Sequence, residues 1–165
     1  MQVRIQYRFL MKLLAFLAVM ALVLFGWHRF QINRNSLQVL AQARKATESN
    51  KPYEAIRLYN QFLGLRRDSA EAHVELGDIL FKQGNHAGAL PLYESALRID
   101  PKLYSVRESV VKIAIDAGRY VDAKETLSSY LIPNAPDNAE YQWLLGVCEY
   151  RIGEFAEAEK YMTLA

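Results

Sequence analysis

The side chains able to act as nucleophile, base or metal ligand are few and scattered. Cys148 is the single cysteine of the 165 residues, so no intrachain disulfide can form, and no His or Lys stands near it in sequence to stabilise a thiolate. It reads as a small apolar residue packed in a helix. His28, His73 and His86 lie far apart, and none has the His-Glu-x-x-His spacing that sets two ligands on one helix face. His86, beside the Asn85 turn, reads as a solvated helix start. Gly84-Asn85-His86-Ala87-Gly88 lacks the Gly-Lys-Ser/Thr ending that cradles a phosphate, and no Gly-x-Ser-x-Gly elbow is present. Glu154, Glu157 and Glu159 read as a solvated helix face. The expectation is a chain without catalytic residues, metal or cofactor, one that holds a partner and is not an enzyme.

A binding surface needs elements to carry it, and the chain repeats its punctuation at nearly constant spacing. Leu76-Gly77 is followed by Gly84 and Ala89, Val110-Val111 by Gly118 and Ala123, and Leu145-Gly146 by Gly153 and Ala158. With Asn50 and Ala55 as an earlier copy, the steps from Ala55 to Ala89, Ala123 and Ala158 are 34, 34 and 35 residues. That period is the signature of helix-turn-helix units that bury their apolar faces against one another.

Local signals place the helices. Asp68 with Glu71 and Asp137 with Glu140 have capping-box spacing. Gly84, Gly118 and Gly153, with Asn50, stand where a helix end needs left-handed backbone. Pro52 can open a helix, and Asp100-Pro101 can close one. The second copy thus reads as helices over about 69–83 and 86–99. Gly77, Gly146 and Ala43 on the opening helices fall level with Ala89, Ala158 and Ala55 on the returning ones, which lets the backbones approach. Larger groups, Tyr59, Phe62, Leu76, Leu80, Tyr93, Leu97, Leu127, Tyr130, Leu145 and Met162, fill the space between neighbours.

The first 34 residues differ in kind. They hold Arg4, Arg8, Lys12, Arg29 and Arg34 and no acid, a charge of +5, whereas residues 35–165 carry 15 basic and 18 acidic groups, a charge of −3. A mixed, slightly acidic repeat region excludes a phosphate-tracking surface, so no nucleic-acid partner is expected. Residues 9–27 are apolar except for Lys12, and as a helix they measure roughly 28 Å. Lys12 can snorkel, Trp27 can anchor at an interface, and the bulky residues after 24 do not suit signal cleavage. These features predict a single-pass membrane anchor with a cytoplasmic amino terminus and the repeats on the extracytoplasmic side.

His73-Val74-Glu75-Leu76-Gly77-Asp78-Ile79-Leu80, then Gly84, Ala89, Tyr93, Ala96 and Pro101, resembles a tetratricopeptide repeat, with His73 in place of the family's leading Trp. The fourth copy is similar through Leu145-Gly146, Gly153, Phe155 and Ala158, although Trp143 stands one residue closer to the Leu-Gly step. Copies one and three match less, with Gln42-Ala43 and Val110-Val111 at that step. The resemblance covers about residues 36–165 and implies an all-α, right-handed α-solenoid of about four repeats (36–69, 70–103, 104–138 and 139–165), here preceded by one transmembrane helix. The corresponding division is 1–34, a cytoplasmic stub and anchor, and 35–165, the repeat domain.

In that family the opening helices line the inner curve. Carried over by register, the partner-binding residues are Leu40 and Arg44; Val74, Asp78, Phe81 and Lys82; Glu108, Lys112 and Ile115; and Trp143, Val147 and Tyr150. Such a strip suits an extended peptide or an amphipathic helix of a protein partner. For Phe81, Trp143 and Tyr150 the competing reading is packing between pairs. A dicarboxylate clamp for chaperone tails is not expected, because Leu40, Glu75, Ser105 and Ser109 occupy four of its five places and only Arg44 fits. The implied function is a membrane-anchored interaction scaffold; the alternative is the docking front part of a larger membrane enzyme or secretion apparatus. No polar capping helix follows the last pair, which leaves further chain, a partner or a second copy to cover it.

Overall fold

The computed structural model describes the backbone of residues 7–165 and the side chains of 11–27 and 34–165. Among the described residues every regular element is helical. The chain divides into two compact units, residues 1–66 and 67–165.

The first unit holds α1 (Tyr7–Glu48) and α2 (Pro52–Leu65). α1 runs through 33–36 without a break, since nothing from 13 to 49 removes a backbone donor. Its last turns pack against α2, with Ala43 and Ala55 fully buried and Leu58, Tyr59 and Phe62 nearly so. Small residues at the crossing thus do what their spacing implied. Pro52 occupies the first turn of α2, where its missing N–H costs nothing.

The anchor expectation is corrected here. Among the described residues no helix is long and apolar enough to cross a membrane. Lys12 interrupts the apolar run, and the charge-free stretch 13–27 measures about 22 Å at ~1.5 Å per residue, short of a hydrocarbon core of ~30 Å. A single-pass membrane location, and with it the placement of the repeats across a bilayer, is therefore not supported. The side chains of residues 9 and 10 in the expected span, and the stub before residue 7 that set its orientation, lie outside the described residues.

The second unit stacks three antiparallel hairpins: α3 (Ala70–Lys82) with α4 (His86–Ile99), α5 (Tyr104–Asp116) with α6 (Tyr120–Thr126), and α8 (Ala139–Ile152) with α9 (Phe155–Leu164). The last two hairpins are joined by a π turn (Leu127–Leu131) and the short α7 (Ile132–Asn134). In each hairpin turn a glycine takes positive φ, Gly84 at 74°, Gly118 at 71° and Gly153 at 101°, and Asn50 takes 53° in the first unit. The next amide then donates to a carbonyl five residues back, Asn85 to Leu80, Arg119 to Ala114 and Glu154 to Glu149, closing each opening helix in the same Schellman geometry. The caps differ from expectation by one residue. Ser69 accepts from the Ala72 amide and Asn138 from the Tyr141 amide, so these residues, not Asp68 and Asp137, open α3 and α8. The residue directly before the first helical one is placed for its side-chain oxygen to reach the free amide three residues on, whereas Asp68 and Asp137 stand one residue too early.

Two cores fill the stack. Ala89, Tyr93, Val106 and Ile113 form one, with Val74, Phe81 and Val110 packed on it. Val111, Ala114, Ala123, Leu127, Leu131, Tyr141, Leu145 and Cys148 form the other. The π turn explains the single 35-residue step. Pro133 has no N–H to return to Ser129, and a wide turn before it absorbs one extra residue without breaking the helix. That extra residue rotates the following side chains, so Leu131 enters the core while Tyr130, expected there, is exposed. Met162 is also exposed, in contrast to expectation.

Candidate functional site

Spacing of i, i+4 and i+7 puts three residues of each opening helix on one face. In the second unit these are Val74, Asp78 and Phe81 on α3, Glu108, Lys112 and Ile115 on α5, and Trp143, Val147 and Tyr150 on α8. Val74, Asp78, Phe81, Glu108, Ile115 and Val147 are half-buried, whereas Lys82, Lys112, Trp143 and Tyr150 are exposed. Phe81 stacks on His86 at 4.9 Å, and Tyr150 meets Phe155 edge-on at 5.4 Å. In the first unit Leu40 is buried within its own hairpin and Arg44 is half-buried.

Several of these polar groups are engaged within the stack. The Tyr93 hydroxyl of α4 donates to Asp78 Oδ1 at 2.8 Å. The Tyr141 hydroxyl of α8 donates to Glu108 Oε1 on α5. Lys112 Nζ lies 3.4 Å from Glu140, and both side chains are well exposed. His86 Nδ1 lies 3.6 Å from Asp116 beside a cleft of 360 Å³ between the second and third hairpins. The structure therefore ties Asp78 and Glu108 into part-buried hydrogen bonds between helices, sets Lys112 beside Glu140 at the surface, and leaves Lys82 and the α8 aromatics exposed.

One pair was not legible beforehand. Lys124 of α6 donates to Glu149 of α8 at 2.9 Å, with the Glu149 side chain only 5% exposed and that of Lys124 38% exposed. The available signal was register: Glu149 falls one residue after Cys148 and one turn after Leu145, on the face that packs inward.

Buried donors titrate late. Tyr93 is raised above its ordinary 10.0, first by burial and then by its bond to Asp78, while a bond with Ser109 opposes the shift. Burial, then Glu108, pushes Tyr141 up to about 12. The bond to Glu149 raises Lys124 above 10.5, and burial, then Glu149, pushes Cys148 up to about 11 from 9.0. Each folded group keeps a proton that the unfolded chain has lost, so stability must fall as pH rises. These contributions are expected to be complete below about pH 9 and to decline above it, the thiol first and then the phenols and Lys124. Urea unfolding near neutral pH and above pH 10 measures the slope, which Tyr93→Phe and Tyr141→Phe should flatten.

Among the described residues no three His, Cys, Asp or Glu side chains are grouped to hold a metal ion. The candidate surface can offer apolar contact edged by charge.

Comparison with known proteins agrees with this architecture. The structure of MamA 41-end from Desulfovibrio magneticus RS-1 superposes with a TM-score of 0.69 at 16% identity, over 78% of this chain and 72% of that one. A crystal structure of MamA gives 0.68 at 21% identity, over 79% and 75%. YrrB, described as a TPR protein with an unusual peptide-binding site, gives 0.67 at 17% identity, over 76% and 64%. Likeness at these identities concerns the fold. No curated protein matches the sequence. Two models of the family described as Tetratricopeptide repeat match residues 40–103 and 80–145, so together they span 40–145. The turns, the small residues at the helix crossings and these matches agree, and the chain belongs to the tetratricopeptide repeat family.

Proposed function

We propose that the second unit is a protein-binding scaffold that takes an extended peptide or an amphipathic helix along the opening-helix face of α3 and α5. The observation that supports this reading most is the recurrence of one strip on successive opening helices. Val74, Phe81 and Ile115 supply half-buried apolar ground, while Lys82 and Lys112 stand exposed beside it and Asp78 and Glu108 add negative charge. Apolar anchors would give affinity and the charges would set register and direction. Trp143, Val147 and Tyr150 continue the strip on α8. The peptide-binding site described for YrrB is consistent with such use of this fold. With few large anchors, individual contacts should be weak, with Kd on the order of micromolar.

Photo-crosslinkers placed at Phe81 and Lys112 are expected to capture a partner segment, and Lys112→Glu should weaken that capture about tenfold. Crosslinkers at Glu94 and Arg98, on the returning helix, should capture little. Capture mapping to those outer positions, with Phe81 and Lys112 silent, would overturn the assignment.

A further inference from the structure

The cleft between the second and third hairpins lies along the turn edge, where α4 begins and α5 ends, and shares no residue with the strip on the opening helices. Buried Ile113 and half-buried Leu90 form its deep side, and the small Ala87 and Ala117 keep it open. His86 stands at the rim, but its ring is stacked on Phe81 at an interplanar angle of 17° and does not fill the space. Arg119 at the other rim lies 3.5 Å from Asp122. Asp116 is 3.6 Å from His86, longer than a hydrogen bond, and its side chain is 60% exposed, so its oxygens can still accept a donor.

The internal repeat shows which side chain this place accepts. The 34-residue step from Ala89 to Ala123 carries His86 to Tyr120 and Ala87 to Val121, and the 35-residue step from Gly118 to Gly153 carries Ala117 to Ile152 and Asp116 to Arg151. Between the third and fourth hairpins Tyr120 is half-buried and packs on the core that contains Cys148, with the Arg151 guanidinium 5.6 Å from its ring centroid. The fold therefore seats a phenol at this position when its own sequence supplies one; a rim histidine turned aside and two alanines leave a cleft instead. A phenol hydroxyl also meets a carboxylate twice elsewhere in the stack, Tyr93 with Asp78 and Tyr141 with Glu108. At 360 Å³ the cleft stands near the lower end of the range for ligand pockets, about 300–1,000 Å³, a size for one side chain and not for a helix. We propose that it receives a tyrosine side chain of the partner protein, with the ring against Leu90 and Ile113 and the hydroxyl donating to Asp116. This inference rests on the reading of the second unit as a scaffold for a partner segment, and names one residue of that segment.

The full chain, methyl-labelled at Leu and Ile, tests this by titration with N-acetyl-tyrosinamide, N-acetyl-phenylalaninamide and N-acetyl-leucinamide. Saturable shifts of the Leu90 and Ile113 methyl resonances are expected with the tyrosine probe, with Kd on the order of millimolar. The phenylalanine probe should bind about threefold more weakly for want of one hydrogen bond, and the leucine probe should not saturate. Asp116→Ala should erase the preference for tyrosine over phenylalanine. His86→Tyr, which copies Tyr120, and Ala117→Ile, which copies Ile152, should each fill the cleft and abolish the shifts, whereas Lys112→Glu should leave them unchanged. Absence of saturable shifts at Leu90 and Ile113, equal or tighter binding of the phenylalanine or leucine probe, a tyrosine preference that survives Asp116→Ala, or shifts that survive both filling variants would each overturn the proposal. Failure here is separable from failure of the strip: silent crosslinkers at Phe81 and Lys112 beside a tyrosine-specific cleft would remove the strip alone, and captured partner beside a cleft indifferent to tyrosine would remove the cleft alone.

Discussion

Gly77→Leu is expected to destabilise the second hairpin by about 2–3 kcal/mol, the upper part of the range for overpacked cores. A Cβ at residue 77 would sit 2.7 Å from Cε1 and 2.9 Å from Cδ1 of Tyr93. That ring is fully buried, and its hydroxyl is tied to Asp78, so it has no empty rotamer to retreat into. Either α3 and α4 separate or the Tyr93 bond is lost, and both raise the cost. Gly64, also helical, has nothing within 4 Å of its own Cβ position. Gly64→Ala should therefore stabilise by up to about 1 kcal/mol through helix propensity alone. Urea melts followed by circular dichroism read both variants. Equal behaviour of the two would contradict the packing described for Gly77.

Lys124→Ala should cost about 1–3 kcal/mol, because it leaves Glu149 buried with its principal partner gone. The lower end of the range for buried pairs applies, since Lys124 itself keeps 38% of its side-chain surface in water. The internal repeat supplies the rescue. The step from Ala89 to Ala158 is 69 residues, and it aligns Glu149 with Leu80 of α3, which contributes to an apolar core. Lys124→Ala/Glu149→Leu is thus expected to recover most of the lost stability, as buried ion pairs replaced by well-packed apolar groups often do. A double-mutant cycle gives the coupling. If Lys124→Ala alone leaves the melt unchanged, Glu149 is being solvated in a way its burial does not indicate.

Much of the architecture could be read from residue types and spacing. Gly84, Gly118, Gly153 and Asn50 mark their turns because left-handed backbone is a local demand that few residues meet. Ala43, Ala55, Ala89, Ala123 and Ala158 mark crossings because only small side chains permit the approach. The caps were legible to within one residue. The strip on α3, α5 and α8 followed from helical period, which fixes direction once the helix is placed.

The linear chain did not reveal how the strip is spent. Asp78, Glu108 and Lys112 looked like free charges, yet they pair with Tyr93, Tyr141 and Glu140 on other helices. The π turn before Pro133 likewise shows in sequence only as one surplus residue, and where it is absorbed depends on which leucine the core can accept. The apolar run near the amino terminus is the opposite case, since composition suggested a length that the described helix does not supply. By itself the sequence determined the helices, their turns and their stacking period, because those depend on backbone demands met within a few residues. The tertiary structure alone decided which polar groups face one another and which faces stay uncovered, because a charge's role depends on neighbours that folding brings from another helix.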